Sequence, residues 1–158
     1  MHLTIQLTAD SACHKVNGFA RGHFTIEGAT GYATSKDQHP DQSSMVFLAI
    51  VEFLDGMRRF ASDSAFLEYH FVATDSSFGW TMVKVKDAPT IIRIEHDGER
   101  IDALPLLALA EAVWTGVQEF LLKDGSKLPS DDPAFGDLES AQTDFQAVFR
   151  ISPGSQNR

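Results

Sequence analysis

The pattern of apolar and polar positions is clearest between Phe66 and Glu99, where it predicts three consecutive β-strands. The three segments, residues 66–74, 79–86 and 90–96, are rich in β-branched and aromatic side chains. Short runs of turn-forming residues separate them, so neighbouring strands are expected to be antiparallel. The rest of the predicted fold is arranged around this three-stranded meander.

Side chains alternate along these strands and therefore divide between two faces. If the two loops contain four and three residues, Thr74 pairs with Gly79 and Lys86 pairs with Thr90. One face is then apolar and is expected to pack against helices; it collects Tyr69, Phe71, Trp80, Met82, Ile92 and Ile94. The polar face, which is expected to meet solvent, collects Glu68, His70, Val72, Thr81, Val83, Arg93 and Glu95. If the first loop contained three residues instead of four, the two sets of side chains would mix. A charged side chain would then be buried without a partner, which costs free energy.

Two further strands are predicted before the meander. Residues 3–7 alternate between apolar and polar, and residues 19–27 form a second candidate strand. The Asn-Gly pair at residues 17–18 is a signal for a tight turn. We expect both strands to extend the sheet of the meander. Residues 28–42 are predicted to form a loop with a short strand near Tyr32.

Three helices are predicted from apolar residues at helical spacing. The first is capped by Asp41 or Ser43, and its buried stripe is Val46, Ile50, Phe53, Met57 and Phe60. Gly56 lies within this helix and is expected to permit a close crossing. The second helix is capped by Asp102, and its stripe is Leu106, Leu109, Ala110, Val113, Val117 and Phe120. A last helix is predicted over residues 137–149.

The predicted elements follow one another in the order ββ-α-βββ-α-α. This order predicts an α+β fold, in which an antiparallel sheet of about five strands carries helices on one face. A length of 158 residues indicates a single domain. We assign the domain to residues 1–151 and predict a frayed tail over residues 152–158.

The net charge of −9 narrows the range of partners. From Asp102 onward there are nine acidic residues against four Lys or Arg, and no basic stripe is present to neutralise phosphates. We therefore expect no nucleic-acid partner and a preference for basic proteins. The lone Cys13 excludes an internal disulfide, which fits a reducing compartment. With no signal-peptide pattern and no long apolar stretch, we expect a cytoplasmic protein without a membrane partner.

Metal binding was considered at Cys13, His14 and His23, which lie close in sequence. In a two-residue hairpin centred on residues 17–18, the two histidines would share one strand face and the cysteine would lie on the other. Three ligands cannot converge from opposite faces. No metal and no cofactor are therefore predicted.

The group Glu68, His70, Arg93 and Glu95 was considered for acid–base chemistry, which requires a concave and partly dry site. An open sheet face is neither, and charged cross-strand pairs on a solvated face are the common explanation for such a group. No nucleophile, phosphate-loop or zinc motif is present in the sequence. Hence no catalytic residue is assigned, and the sequence favours a non-enzymatic protein.

A cluster of four aspartates follows the second helix at Asp124, Asp131, Asp132 and Asp137. Its spacing does not match an EF-hand loop. We expect a solvated acidic loop that contacts a basic partner. The candidate contact surface is therefore the polar face, through Glu68, His70, Arg93 and Glu95, together with these four aspartates.

Size, acidity, α+β layout and the absence of catalytic motifs resemble the small cytoplasmic immunity proteins that bacteria pair with their own toxins. The resemblance covers the whole chain in outline and rests on no specific motif; the segments EYHFVATDSSFGWTMVKV and ALAEAVWTGVQEF are where a family signature is expected. The resemblance implies a dedicated partner whose active site is blocked by occlusion. Many such toxins are basic nucleases, which an acidic inhibitor suits through electrostatic steering.

Two other interpretations stay open. A cleft between sheet and helices, lined by Tyr69, Trp80, His96 and Trp114, would suit a small-ligand-binding protein or an enzyme. Alternatively, an uncovered edge strand, at the first or third strand of the meander, would favour self-pairing into a homo-oligomer.

Overall fold

The computed structural model describes residues 1–151. In this range the helices are α1 (Ala9–Cys13), α2 (Val46–Ser62), α3 (Leu106–Lys123) and α4 (Pro133–Phe149). The strands are β1 (His2–Leu7), β2 (Arg21–Glu27), β3 (Tyr32–Thr34), β4 (Ser44–Met45), β5 (Glu68–Val72), β6 (Gly79–Val85), β7 (Ala88–His96) and β8 (Glu99–Pro105). A 3-10 turn, Gly125–Lys127, follows α3. None of the helices in residues 1–151 is both long enough and apolar enough to span a membrane.

The strands of the described residues form two antiparallel sheets. The N-terminal sheet has the order β1-β2-β3, and β4 also pairs with β2. The meander sheet has the order β5-β6-β7-β8. The predicted α+β class is therefore confirmed. The expectation that the N-terminal strands extend the meander's sheet is wrong, because they pair with β3 and β4 instead.

The two faces of the meander are confirmed. Five predicted core residues of this sheet are buried, namely Phe71, Trp80, Met82, Ile92 and Ile94, and Tyr69 is half-buried. The first hairpin is shifted, because Val72 rather than Thr74 pairs with Gly79. The Thr74 carbonyl instead accepts a hydrogen bond of 3.1 Å from Met45 N–H. A shift of two residues keeps the same side chains on the same face, so the error in register leaves both faces unchanged.

The strand β8 was missed by the sequence analysis, which assigned Asp102 as the cap of a helix. Asp97 and Gly98 have φ values of 49° and 81°, so they form a two-residue hairpin turn that returns the chain as β8. The pairing register shifts between Ile94 and Glu95. This bulge places Ile101 and Asp102 in succession in the interior, and α3 begins only at Leu106.

The tight hairpin expected at residues 17–18 is not formed. Leu7 pairs with Gly22, so the chain from Thr8 to Ala20 is a long connection that contains α1. Thr8 caps α1 by accepting a 3.2 Å hydrogen bond from the N–H of Ser11 through its hydroxyl. A turn does form at this place, since Ala20 N–H donates to the Asn17 carbonyl at 2.9 Å, but it does not join two paired strands.

The starts of two helices also differ from the prediction. Asp41 and Ser43 do not cap α2, which follows Met45 directly. The carboxylate of Asp41 accepts hydrogen bonds from Ser43 N–H and Oγ, and these bonds lower the pKa of Asp41. The last helix begins at Pro133, four residues before its predicted start at Asp137. The predicted tail over residues 152–158 lies outside the described residues.

The core lies between the two sheets and the helices. At its centre, Phe24 of β2 and Phe53 of α2 contact Phe71 and Trp80 of the meander sheet, with ring centroids 4.7–6.1 Å apart. Helix α3 approaches β1 so closely that a Cβ on Gly116 would lie 2.3 Å from the Leu3 carbonyl oxygen. These contacts join both sheets into one hydrophobic cluster.

Candidate functional site

The meander sheet presents the polar face on the side opposite Trp80 and Met82. Alternation places Glu68 and His70 of β5, and Arg93 and Glu95 of β7, on this face. The four residues predicted from the sequence are thus brought onto one surface. Which face each side chain joins depends on the alternation along its strand, which was predicted correctly, and not on the exact length of the loops.

Two side-chain contacts lie on this face, one on each of the two strands. On β5, Glu68 Oε1 lies 2.8 Å from His70 Nε2, and Thr81 Oγ1 lies 2.9 Å from His70 Nδ1. On β7, Arg93 Nε lies 2.5 Å from Glu95 Oε1. The contact on β7 is ionic and lacks the geometry of a hydrogen bond, because Arg93 Nε is buried without a hydrogen-bond partner.

The two contacts are separated by the width of one strand. In one cross-strand row, Thr81 stands between His70 and Glu95; in the next, Val83 stands between Glu68 and Arg93. Strands lie about 4.8 Å apart, so the pairs are roughly 10 Å from each other. They do not form a single cluster.

A shallow groove of about 180 Å³ lies at one end of the polar face. Its lining includes His70, Thr81, Glu95 and Asp97. The imidazole of His70 is 66% exposed and its carboxylate partner on Glu68 is 50% exposed. Water reaches both groups, so the groove does not provide the dry environment that acid–base catalysis uses.

The four predicted aspartates do not share a common role. Asp124 is buried, and its Oδ1 pairs with Lys127 Nζ. Asp132 caps α4: Oδ1 accepts from Ala134 N–H at 2.9 Å, and Oδ2 accepts from Gly18 N–H at 3.0 Å. Only Asp131 and Asp137 are exposed. Two of the four aspartates therefore hold the fold together and are not free to contact a partner.

The acidic loop belongs to a different region from the polar face. The loop joins the end of α3 to the start of α4, and through Asp132 it contacts Gly18, which lies just before β2. The polar face is turned away from the aromatic core that α2 covers. The eight candidate residues therefore fall into two separate groups.

The cysteine and histidines considered for metal binding are also dispersed. Cys13 is exposed at the end of α1, His14 Nδ1 lies 2.7 Å from the Asp10 carbonyl oxygen, and His23 Nδ1 lies 3.3 Å from Ser35 Oγ. Among residues 1–151, no group of three or more His, Cys, Asp or Glu is arranged to hold a metal ion.

The side chains proposed to line a cleft occupy different environments. Trp80 packs within the aromatic core, and Tyr69 contacts Phe60 and Phe66. The Trp114 ring stacks on Phe145 of α4 with centroids 6.0 Å apart. Away from these, His96 Nδ1 lies 2.7 Å from the Gly79 carbonyl oxygen. His96 lines a separate surface pocket of about 280 Å³ with Tyr32 and Gln42, so the four side chains do not surround one shared cavity.

Sequence analysis missed Arg100, which pairs with Glu95 across β7 and β8 and extends the polar face by one strand. The signal that could have identified it is the Asp-Gly pair at residues 97–98, a strong indicator of a two-residue hairpin. Asp102 and Pro105 suggested the start of a helix and concealed this strand.

Comparison with protein-family profiles, with curated proteins and with solved structures finds no match to this chain.

Proposed function

We propose that this chain is a non-enzymatic protein-binding protein whose contact surface is the polar face of the meander sheet. The observation that carries the proposal is the group of charged and polar side chains on one four-stranded sheet face, where Glu68 contacts His70 and Arg93 contacts Glu95. These side chains are partly exposed and so are accessible to a partner. Both signs of charge are present, which suits a partner of complementary pattern.

The partner that we propose is a basic protein. With a net charge of −9, the chain attracts a basic partner over distances comparable to the Debye length, about 8–10 Å at moderate salt. Exposed Asp131 and Asp137 contribute to this field without belonging to the contact surface. An immunity protein that blocks a cognate toxin is the specific role that fits an acidic binder of this kind.

The test is affinity capture with the tagged chain from a lysate of its native cells, at low and moderate salt. We expect one stoichiometric basic partner whose retention falls as salt rises. Two variants separate contact from steering: Glu68→Lys with Glu95→Lys, and Asp131→Lys with Asp137→Lys, each change the net charge by +4. The first variant should abolish capture, and the second should only slow association.

Three outcomes would contradict parts of the proposal. If both variants retained the partner equally, the polar face would be ruled out as the contact surface. Absence of a partner at either salt, with the chain folded, would contradict protein binding. For the immunity role, the captured partner should be toxic when expressed alone and harmless when co-expressed with this chain; a partner without toxicity would exclude that role.

A further inference from the structure

Strand β5 forms one edge of the meander sheet, and its free side can be identified from its hydrogen bonds. Next to the strand, Lys84 N–H donates to the Leu67 carbonyl at 2.9 Å, and Ala73 N–H donates to the Phe78 carbonyl at 2.8 Å. Antiparallel strands bond through alternate residues, so the odd-numbered residues of β5 face β6. The backbone N–H and C=O groups of Glu68, His70 and Val72 consequently point away from the sheet.

Two outward-facing carbonyls elsewhere along these edges have backbone partners. Beyond Val72, the Thr74 carbonyl accepts from Met45 N–H. At the opposite edge, Thr30 N–H donates to the Ile101 carbonyl of β8 at 3.0 Å, and Thr30 Oγ1 bonds the same carbonyl at 2.9 Å. Among residues 1–151, the outward backbone groups of β5 make no backbone hydrogen bond to another segment. This strand has no proline, no lysine and no bulge, although it is only five residues long and carries the charged Glu68.

We propose that β5 pairs with β5 of a second copy of this chain, antiparallel and centred on His70, so that two meander sheets merge into one. In this register Glu68 lies opposite Val72 of the second copy, and His70 lies opposite His70. The three outward-facing residues of each copy then exchange six hydrogen bonds. A slip of two residues would leave only four of these bonds between the two strands, so the centred register is favoured.

The side chains are compatible with this pairing. The carboxylates of the two copies are kept apart, because each Glu68 stands opposite Val72. The two His70 side chains stand opposite each other. Val72 is 55% exposed and Leu67 is 60% exposed, and pairing would cover apolar surface on both residues. On the inner side Tyr69 would face Phe71 of the second copy, an aromatic cross-strand pair of the kind that stabilises sheets.

Salt separates self-pairing from binding of a basic partner. Two copies each carry a net charge of −9 and repel one another, so screening strengthens their association. The basic partner of the proposed function attracts this chain, so screening weakens that complex. The two interactions therefore respond to salt with opposite signs, and the dimer does not depend on the proposed function.

The experiment is sedimentation equilibrium of the purified chain over a range of protein concentrations, at low and moderate salt, with two substitutions at Val72. Val72→Glu places a carboxylate opposite Glu68 and should weaken dimerisation, whereas Val72→Lys places an ammonium there and should strengthen it. Each dimer contains two such pairs. We therefore expect the dissociation constant of the dimer to rise with Val72→Glu and to fall with Val72→Lys, each by about two- to thirtyfold. Ser140→Glu and Ser140→Lys, at an exposed position of α4, change the net charge equally and control for overall repulsion.

Amide hydrogen exchange provides a second readout at single residues. In dilute monomer, the amides of Tyr69 and Phe71 should be protected while those of Glu68, His70 and Val72 exchange rapidly. At high concentration the latter three amides should become protected together. This alternating pattern would not arise from a dimer formed through a helix.

Several results would overturn the proposal. A chain that stays monomeric up to about 1 mM would do so, since this limit corresponds to a binding free energy weaker than about 4 kcal/mol. A dimer indifferent to both Val72 substitutions would use another surface or register. Protection of the three amides only when a basic partner is added would assign the edge to that partner instead.

Discussion

The phenolic hydroxyl of Tyr69 occupies the space beside Gly56 that the Cβ of any other residue would fill. A Cβ built on Gly56 would lie 1.9 Å from Tyr69 Oη and 2.1 Å from Tyr69 Cζ. The hydroxyl in turn donates a 3.3 Å hydrogen bond to the Glu52 carbonyl of the same helix. The missing side chain of Gly56 thus sets how closely α2 lies against β5.

Gly56→Ala should destabilise the protein because the added methyl group displaces the Tyr69 ring. Overpacking costs about 1–3 kcal/mol and outweighs the gain of about 1 kcal/mol in helix propensity. Urea denaturation measures the change. In a Tyr69→Leu background the same substitution should be neutral or stabilising, and an equal cost in both backgrounds would show that the ring is not the obstacle.

Alkaline pH should destabilise the fold through Tyr69. Burial raises the pKa of Tyr69 to about 12 from 10.0; Arg59 acts in the opposite direction, and Glu52 and Asp55 raise it further. The unfolded chain therefore ionises first, so the stabilisation is complete below pH 10.0 and is lost as pH rises towards about 12.

The free energy of unfolding, measured from about pH 9 to about pH 12, should fall more steeply for the native chain than for Tyr69→Phe. Absorbance titration of the phenol groups provides the control. Tyr32 is the other tyrosine of the chain, so the difference between the titrations of the native chain and of Tyr69→Phe reports the ionisation of Tyr69. Parallel pH dependence in the two proteins would contradict the assignment.

Asp132 and its neighbour Asp131 should respond differently to the same substitution. Asp132→Ala removes the cap of α4 and the acceptor of buried Gly18 N–H, with an expected loss of about 2 kcal/mol. Asp131→Ala, at an exposed position, should change stability by less than about 0.5 kcal/mol. Thermal denaturation of both variants and of Asp132→Asn, which retains capping ability, measures the difference. Similar losses at both positions would argue against the cap.

Acid should weaken the fold through Asp102. Burial opposes ionisation of this carboxyl, but the hydrogen bond from Ala103 N–H and the Met1 ammonium, 3.2 Å from Oδ2, outweigh it and lower the pKa of Asp102. The stabilisation is therefore present above the unfolded value of 3.8 and is lost as pH falls further.

Asp102→Asn should cost on the order of 3 kcal/mol at neutral pH, because it leaves the Met1 ammonium without its buried partner. The free energy of unfolding of the variant should also depend less on pH below about 4 than that of the native chain. A variant with unchanged acid sensitivity would indicate that another carboxyl dominates.

The sequence predicted the features that depend on alternation and on helical spacing. The residues of the polar face and of the opposite face, which joins the aromatic core around Trp80, were predicted correctly. The first hairpin is shifted, but a shift of two residues leaves each side chain on the same face. The stripe of α2 and its close approach at Gly56 were also predicted correctly. These properties are local to a strand or a helix.

The features that were missed depend either on partners distant in the chain or on a break in the alternation of side chains. Alternation shows which face a strand buries but not which strand lies beside it, so the separation into two sheets was not predicted. The bulge in β8 puts Ile101 and Asp102 in the interior together and breaks the alternation that would have identified the strand. Asp132 was assigned to a binding surface because its partner, Gly18, lies 114 residues away.

The separation of Gly18 and Asp132 along the chain also sets the order in which the chain can fold during its synthesis. Gly18 meets Asp132 only after 114 further residues have been added, and β1 likewise waits for α3. Ribosomes add about 5–20 residues per second, so β1 spends roughly 5–20 s without α3. Over that interval, the apolar side chains of β1 that α3 covers are open to chaperones and to neighbouring nascent chains.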